Sequence, residues 1–301
     1  MHHGIKHHPL LDMSQSFAGV LLDAYGVFWA GNAAGALPGA PEAMKALAAA
    51  GKIVGILSNA TRLAEVEIEK LARHGIHIGE HFHFLITSGE IARQTALSNA
   101  LPFTTSSSKY FVLGGPYPDS CIHAEIFAGS PFSETTDLSE AGFIYASTPQ
   151  IQGEDQTDPT VFEPHVQSCL SSNLPMLCAN PDLFAHEGYP PKAVVRQGSL
   201  ARRYKELGGS VHYIGKPYSP AFAKAMEQFA KHSIHNPSEI LMIGDTPETD
   251  VRGAKLFGMS SALITKTGIM ADRLEALHPT ESVASILSDD HPHFFLERLS
   301  V

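Results

Sequence analysis

Short, nearly unbroken apolar runs that each end on a reactive polar side chain restrict this chain more than any other feature. Residues 17–22 lead into Asp23, 53–57 into Ser58 and Asn59, 211–214 into Gly215 and Lys216, and 240–243 into Gly244 and Asp245. Apolar runs this short, with no alternation, are what a parallel strand buried on both faces requires. Further strands are expected at 84–86 and 262–265. Between the runs lie amphipathic stretches. Pro41 and Glu42 open one that carries Met44 and Leu47 and closes at Gly51; Thr61 is the expected cap of the next, with Leu63, Val66, Ile68 and Leu71; Phe222, Ala225, Met226 and Phe229 keep helical spacing, and 251–257 adds another helix. Strands alternating with helices imply an α/β fold with a doubly wound parallel sheet.

The same rhythm continues between the second and third polar strand ends: helix near 89–98, strand 110–113, helix near 120–127, strand 143–146, helix near 161–171, strand 176–179. This stretch is expected to be an inserted α/β cap over residues 89–183. The core is then discontinuous, made of 1–88 and 184–301, and 301 residues is ample for two such units.

Composition removes several classes of function. The formal net charge is −10 and there is no long run of Lys or Arg, so a nucleic-acid or acidic-membrane partner is not expected. No stretch reaches the ~20 apolar residues of a membrane helix. Cys121, Cys169 and Cys178 are widely separated, which suits a reducing, cytoplasmic setting better than a disulfide or zinc framework. His2, His3, His7 and His8 are expected to be a terminal tail without function. The stretch with Glu154, Asp155 and Asp158 is expected to be a solvated loop. Gly51-Lys52 lacks the Ser or Thr of a P-loop, and Asn59-Ala60-Thr61 fits a glycosylation acceptor only in a secreted chain.

Ligands of doubly wound sheets bind beyond the carboxyl ends of the strands, where Asp23, Ser58, Asn59, Lys216, Asp245 and Asp250 gather. Together these residues suit phosphoryl transfer. That chemistry needs an oxygen nucleophile, a hard cation on oxygen ligands, and positive charge and donors around the phosphoryl oxygens. Asp23 can attack phosphorus, Asp23 and Asp245 can share Mg²⁺, Lys216 can neutralise charge, and Ser58 can donate to a phosphoryl oxygen, with Asn59 beside it.

The order D-A-Y-G-V (23–27), S-N (58–59), G-K-P (215–217) and G-D-T-P-E-T-D (244–250) resembles the haloacid dehalogenase superfamily across the whole core. The resemblance implies a Mg²⁺-dependent phosphatase of small phosphorylated metabolites that passes through a phosphorylated Asp23. It also implies metal ligands at Asp23, Asp245, Asp250 and the main-chain carbonyl of Tyr25. Ser58 follows Asp23 by 35 residues (23 to 58), and Lys216 follows Ser58 by 158 (58 to 216), so the cap must lie in the second gap. With T-S-G at 87–89 and N-P-D at 180–182, this resembles the class IIA branch that includes NagD-like and p-nitrophenyl phosphatases, in which dimerisation through the cap is common.

One departure matters. Phosphatases of the superfamily usually carry D-x-D-G, whose second Asp serves as acid and base. Here that position is Tyr25, a poor base with an ordinary pKa of ~10. D-x-Y-G also resembles the metal-independent 2-haloacid dehalogenases, although these place the cap between the first two motifs and lack the Gly-Asp metal loop. A phosphometabolite-binding protein with weakened catalysis is the other alternative. His123, His165 and His186 are candidates for substrate contact.

Overall fold

The computed structural model describes residues 5–31, 34–114, 122–187, 192–278 and 280–301. Its strands, in chain order, begin with β1 (Gly19–Leu22), β2 (Ile53–Ser58) and β3 (Phe84–Thr87). The inserted unit contributes β4 (Lys109–Leu113), β5 (Ser133–Thr135), β6 (Phe143–Ala146), β7 (Gln150–Ile151), β8 (Glu154–Asp155), β9 (Met176–Cys178), β10 (Phe184–Glu187), β11 (Lys192–Val195) and β12 (Val211–Tyr213). The chain then completes the core with β13 (Ile240–Gly244), β14 (Ser260–Ile264) and β15 (Phe294–Leu296).

The core sheet runs β15-β14-β13-β1-β2-β3, every pairing parallel. A parallel strand between two helical layers must be apolar on both faces, and β1 shows this residue by residue. Val20 and Leu22 point into a cluster with Val54, Ile56, Leu241 and Ile243, covered by Met44, Leu47 and Leu71. Leu21 points the other way, into a cluster with Leu57 and Met242, covered by Ile91, Phe222, Ala225 and Phe229. Each large apolar side chain moved from water into such a layer contributes about 1.5–3 kcal/mol. The second cluster runs on into the inserted unit through Tyr110, Phe127, Phe143 and Leu177, so cap and core share one apolar body.

The cap has its own parallel sheet, ordered β12-β9-β6-β4-β5. The expected strands 110–113, 143–146 and 176–179 lie in it, but the chain leaves the cap later than expected. The sequence returned it to the core at 184. Instead β10 and β11 form an antiparallel hairpin, and the helix Gln197–Glu206 packs Leu200, Ala201 and Tyr204 against cap residues Ile144 and Met176. β12 then pairs with β9, and the chain crosses to the core only at Gly215. The cause is burial: that helix has its apolar face matched by the cap sheet and not by the core.

Two smaller expectations also change. The helix Ala64–Arg73 begins after Leu63 with no side-chain cap, so Thr61 is not its cap; Thr61 is buried in the cavity wall described below. Thr87 does cap the helix Ser88–Leu97, accepting from the Glu90 N–H. His7 and His8 are not loose: His7 bridges to Phe295 and its Nε2 lies 2.8 Å from Thr265 Oγ1, while the His8 ring packs edge-on to Phe294. His2, His3 and Cys121 lie outside the described residues, as does the start of the expected 120–127 helix, which is seen from Ile122 to Phe127. No helix among the described residues is long and apolar enough to cross a membrane.

Candidate active site

β1 and β13 are neighbours in register, and so Asp23 and Asp245 emerge side by side; the Asp23 N–H donates to the Ile243 carbonyl at 2.9 Å. After Asp245 the chain makes a wide π-type turn, Pro247–Val251, a local form that recurs at functional sites. The turn folds Asp250 back so that its Oδ2 accepts from the N–H groups of Asp245 and Thr246 at 3.2 and 3.1 Å. One ligand atom from each of Asp23, Asp245 and Asp250 then lies within 4.8 Å of the others.

Lys216, 1% exposed, sits between two of these carboxylates, with Nζ 2.6 Å from Asp23 Oδ1 and 2.7 Å from Asp250 Oδ1. Burial opposes its charge, but Asp23, Asp250 and Asp182 outweigh that and hold the ammonium protonated well above its usual range. The carboxylates respond in the opposite sense. Burial raises Asp23 despite Lys216, pushes Asp250 to about 6, and, with Asp23 and Asp250 repelling it, lifts Asp245 well above the carboxylate range. One ammonium among three carboxylates, two buried and Asp23 partly so, leaves the hard oxygen donors short of positive charge, and that donor set fits Mg²⁺.

Asp245 is held closely. Its Oδ1 accepts from Thr246 Oγ1 at 2.9 Å and its Oδ2 from the Ile269 N–H at 2.7 Å. Two loops press main chain against that oxygen at Gly26 and Gly268, both in the left-handed region with φ of +75° and +72°. A Cβ there would lie 2.3 and 2.0 Å from Asp245 Oδ2. Thr267 Oγ1 donates to the Gly26 carbonyl at 2.6 Å and ties the loops together. The main chain just after Tyr25 is thereby brought against the acidic cluster.

Ser58 and Asn59 end β2 beside these groups. Ser58 is buried at the cavity floor and its Oγ accepts from the Ala60 N–H at 3.2 Å. Asn59 departs from expectation. Its Oδ1 accepts from the Lys216 N–H at 2.7 Å and from Ser88 Oγ at 3.3 Å, while its Nδ2 donates to Asp182 Oδ1 at 2.9 Å and to the Lys216 carbonyl at 3.2 Å. With its amide committed on both sides, Asn59 positions the lysine loop instead of standing free for phosphate. Being 3% exposed and so engaged, it is no glycan acceptor.

These groups floor a cavity of about 250 Å³ between the core strand ends and the cap. Tyr25 forms one wall, its ring 5.8 Å from Lys70 Nζ. Burial, then Glu187 and Glu67, raises its hydroxyl well above an ordinary phenol, so it stays neutral and cannot serve as a base near pH 7. The cap supplies Arg196, 8% exposed, whose guanidinium reaches Glu187 at 3.0 Å and Asp155 at 3.3 Å. Asp155 is exposed, as expected, but it stands on β8 and faces the site, where a loop was expected. Asp182, which the sequence showed only as the end of N-P-D, lines the floor with a carboxyl raised by burial to about 6. None of the three candidate histidines lines the cavity. His123 pairs with Glu134 and His186 with Asp272, at 2.8 and 2.5 Å, and His165 lies on a cap helix beside Phe162.

Two family models match this chain. One, described as haloacid dehalogenase-like hydrolase, covers residues 20–125, and one described as HAD-hydrolase-like covers 213–289; together they take in Asp23 through Asn59 and Lys216 through Asp250. The chain belongs to the haloacid dehalogenase-like hydrolases. The cap position between the second and third motifs makes it a class IIA member. It is similar to mouse chronophin, 28% identical over 307 residues, covering 97% of this chain and 94% of that protein. It is also 28% identical to chicken glycerol-3-phosphate phosphatase over 263 residues, 83% of this chain and 80% of that one. A haloacid dehalogenase-like hydrolase from Brucella suis has the same fold, with a TM-score of 0.78 at 23% identity over 99% of this chain and all of that one.

Proposed function

We propose that this protein is a Mg²⁺-dependent phosphatase of small phosphorylated metabolites in which Asp23 is the nucleophile. The observation that carries this reading is Lys216 locked between Asp23 and Asp250 inside a cluster of three carboxylates. A metal-free dehalogenase has no use for Asp245 and Asp250 buried at that cost. The phosphatase relatives and the cytoplasm-compatible free, buried Cys169 and Cys178 agree with it.

Asp23, Asp245 and Asp250, with the main-chain carbonyl of Tyr25, would hold the cation. Mg²⁺ bound there would neutralise charge on the phosphoryl oxygens. The remaining work falls to the protein. Lys216 fixes the Asp23 carboxylate and supplies positive charge, and Ser58 donates from the floor. An Asp23 oxygen bonds to phosphorus as the ester P–O bond breaks, and water then releases phosphate and frees Asp23. The leaving oxygen must acquire a proton, and Tyr25, which holds its own tightly, is a poor source. Esters with good leaving groups escape that demand; alkyl esters do not. The small cavity limits the leaving group, and the cap shields the step from bulk water.

Cleavage of p-nitrophenyl phosphate with Mg²⁺ tests this directly. Asp23→Asn is expected to abolish it, and undiminished turnover in that variant would remove Asp23 from the mechanism. Tyr25 also favours a second reading, a protein that binds phosphometabolites and turns them over slowly. In that case acid quench during steady state finds phosphate accumulated on Asp23.

A further inference from the structure

A second cavity, of about 290 Å³, opens behind the active site, with Asp182 in the wall common to both. It straddles the two units. Arg202, Lys205 and Tyr213 come from the cap, and Tyr218, Glu248, Arg252 and Arg273 from the core. Four cations thus face two carboxylates on a chain whose net charge is −10.

The cations are not equivalent. Arg273 is spent on Glu248, at 2.8 and 2.9 Å, and Arg252 on Asp290, at 3.1 and 2.7 Å. Asp182 turns its Oδ1 away, to Asn59. On the cap side Arg202 has only a loose contact of 3.6 Å with Glu206, and Lys205 has no ion pair among the described residues. Both are exposed on one turn of the helix Gln197–Glu206. Two uncommitted cations therefore point at a concave site, an arrangement that attracts a phosphate-sized anion.

The rest of the wall asks for a ring. Tyr213 and Tyr218 stack face to face, centroids 4.6 Å apart and planes within 7°. Tyr218 is 37% exposed, and the apolar neighbours Pro181, Phe184 and Pro217 flank the pair. Such a platform favours a planar ring in offset stacking. The volume lies just below the usual range for small-molecule sites, which excludes large ligands.

We infer that this crevice binds a small anion carrying a planar ring, of the nucleoside monophosphate class, with its phosphate on Arg202 and Lys205 and its ring on the Tyr213–Tyr218 stack. The site is separate from that of Asp23 and does not depend on the phosphatase reading. Because one wall belongs to the cap and the other carries Thr246 and Thr249 of the acidic turn, occupancy ties the cap to the strand ends.

The test is a calorimetric titration of AMP, run in the Asp23→Asn chain with Mg²⁺ to suppress hydrolysis. Arg202→Gln/Lys205→Gln is expected to weaken AMP binding by ~10-fold or more, the loss of two charge-assisted contacts. The same pair in the wild-type chain leaves p-nitrophenyl phosphate turnover unchanged, and a normal melting curve shows that it folds. Tyr218→Leu should weaken AMP while leaving inorganic phosphate as weak as before. AMP binding that is absent, or unaltered by the Arg202 and Lys205 substitutions, overturns the inference. Phosphate binding as tightly as AMP rejects the ring and with it the ligand class.

Discussion

The floor and the roof of the active-site cavity are built on different principles. On the floor, Asp23 and Asp245 sit at the ends of strands buried on both faces, Asp250 on the turn that follows the second and Lys216 where the chain re-enters the core, and main-chain donors or the lysine fix each carboxylate. On the roof, Arg196 gathers Glu187 and Asp155 from two short cap hairpins. The floor is rigid because moving any member would strand a buried charge, a cost of several kcal/mol. The roof is a partly exposed network whose members have alternatives in water. A floor of this kind suits bond-making, and a roof of this kind suits selecting what enters.

If that division is right, the largest effect should come from supplying what the floor lacks. Tyr25→Asp places a titratable carboxyl where only a neutral phenol stands. Turnover of alkyl phosphates is expected to rise by ~10²–10⁴-fold, with a much smaller gain for p-nitrophenyl phosphate, whose leaving group needs no acid. Equal gains on both esters would show that protonation was never limiting. Next comes loss of the floor's cation. Lys216→Ala should lower kcat with p-nitrophenyl phosphate by ~10²–10³-fold, the usual penalty for removing one preorganised electrostatic contact. A change confined to KM would move Lys216 from the reaction to binding alone.

The floor was legible in the sequence for the same reason that it is rigid. An apolar run too short for a helix, ending in Asp or Lys, says where a strand stops and what stands beyond it. Parallel register then brings Asp23 to Asp245 and Ser58 to Asp23. The roof was not legible because its contacts join residues that no local pattern links, as Arg196 joins Asp155 across 41 positions; the same is true of one floor contact, Asn59 to Asp182 across 123. The hairpin β10–β11 reads F-A-H-E and K-A-V-V, half-buried and without clean alternation, so nothing marked it as a pair of strands. β12 was visible as a strand, but an apolar run does not say which of two sheets it joins. Asn59 was visible as a strand-end residue, yet its commitment to Lys216 and Asp182 depends on where the distant lysine loop returns.

Asp182, at the seam between floor and roof, gives a smaller effect with a definite sign in pH. Its folded pKa, about 6, lies above the ordinary carboxylate value of 3.8, so between these limits the folded state binds more protons than the unfolded state. Stability must then fall as pH rises through that window, by on the order of 2–3 kcal/mol for a shift of this size. Asp182→Asn should flatten the decline between pH 4 and 7 in denaturant melts run without divalent cation. A slope unaltered by the substitution would mean that the carboxyl is better solvated than its position in the wall implies.

The smallest effect is expected on the roof. Arg196→Gln removes the charge that faces Glu187 and Asp155, and Glu187, which burial already holds above its usual range, will take up a proton more readily. A protonated Glu187 has no need of a counter-ion, so the fold should tolerate the change. The reacting atoms lie on the floor, and the transition state therefore loses no more than the ground state does. Steady-state kinetics should show KM rising by about 3- to 10-fold with kcat nearly constant, the pattern of an interaction made equally before and during reaction. If kcat instead falls as far as kcat/KM, Arg196 acts on the transition state, and the cap takes part in the chemistry that the strand ends were assigned alone.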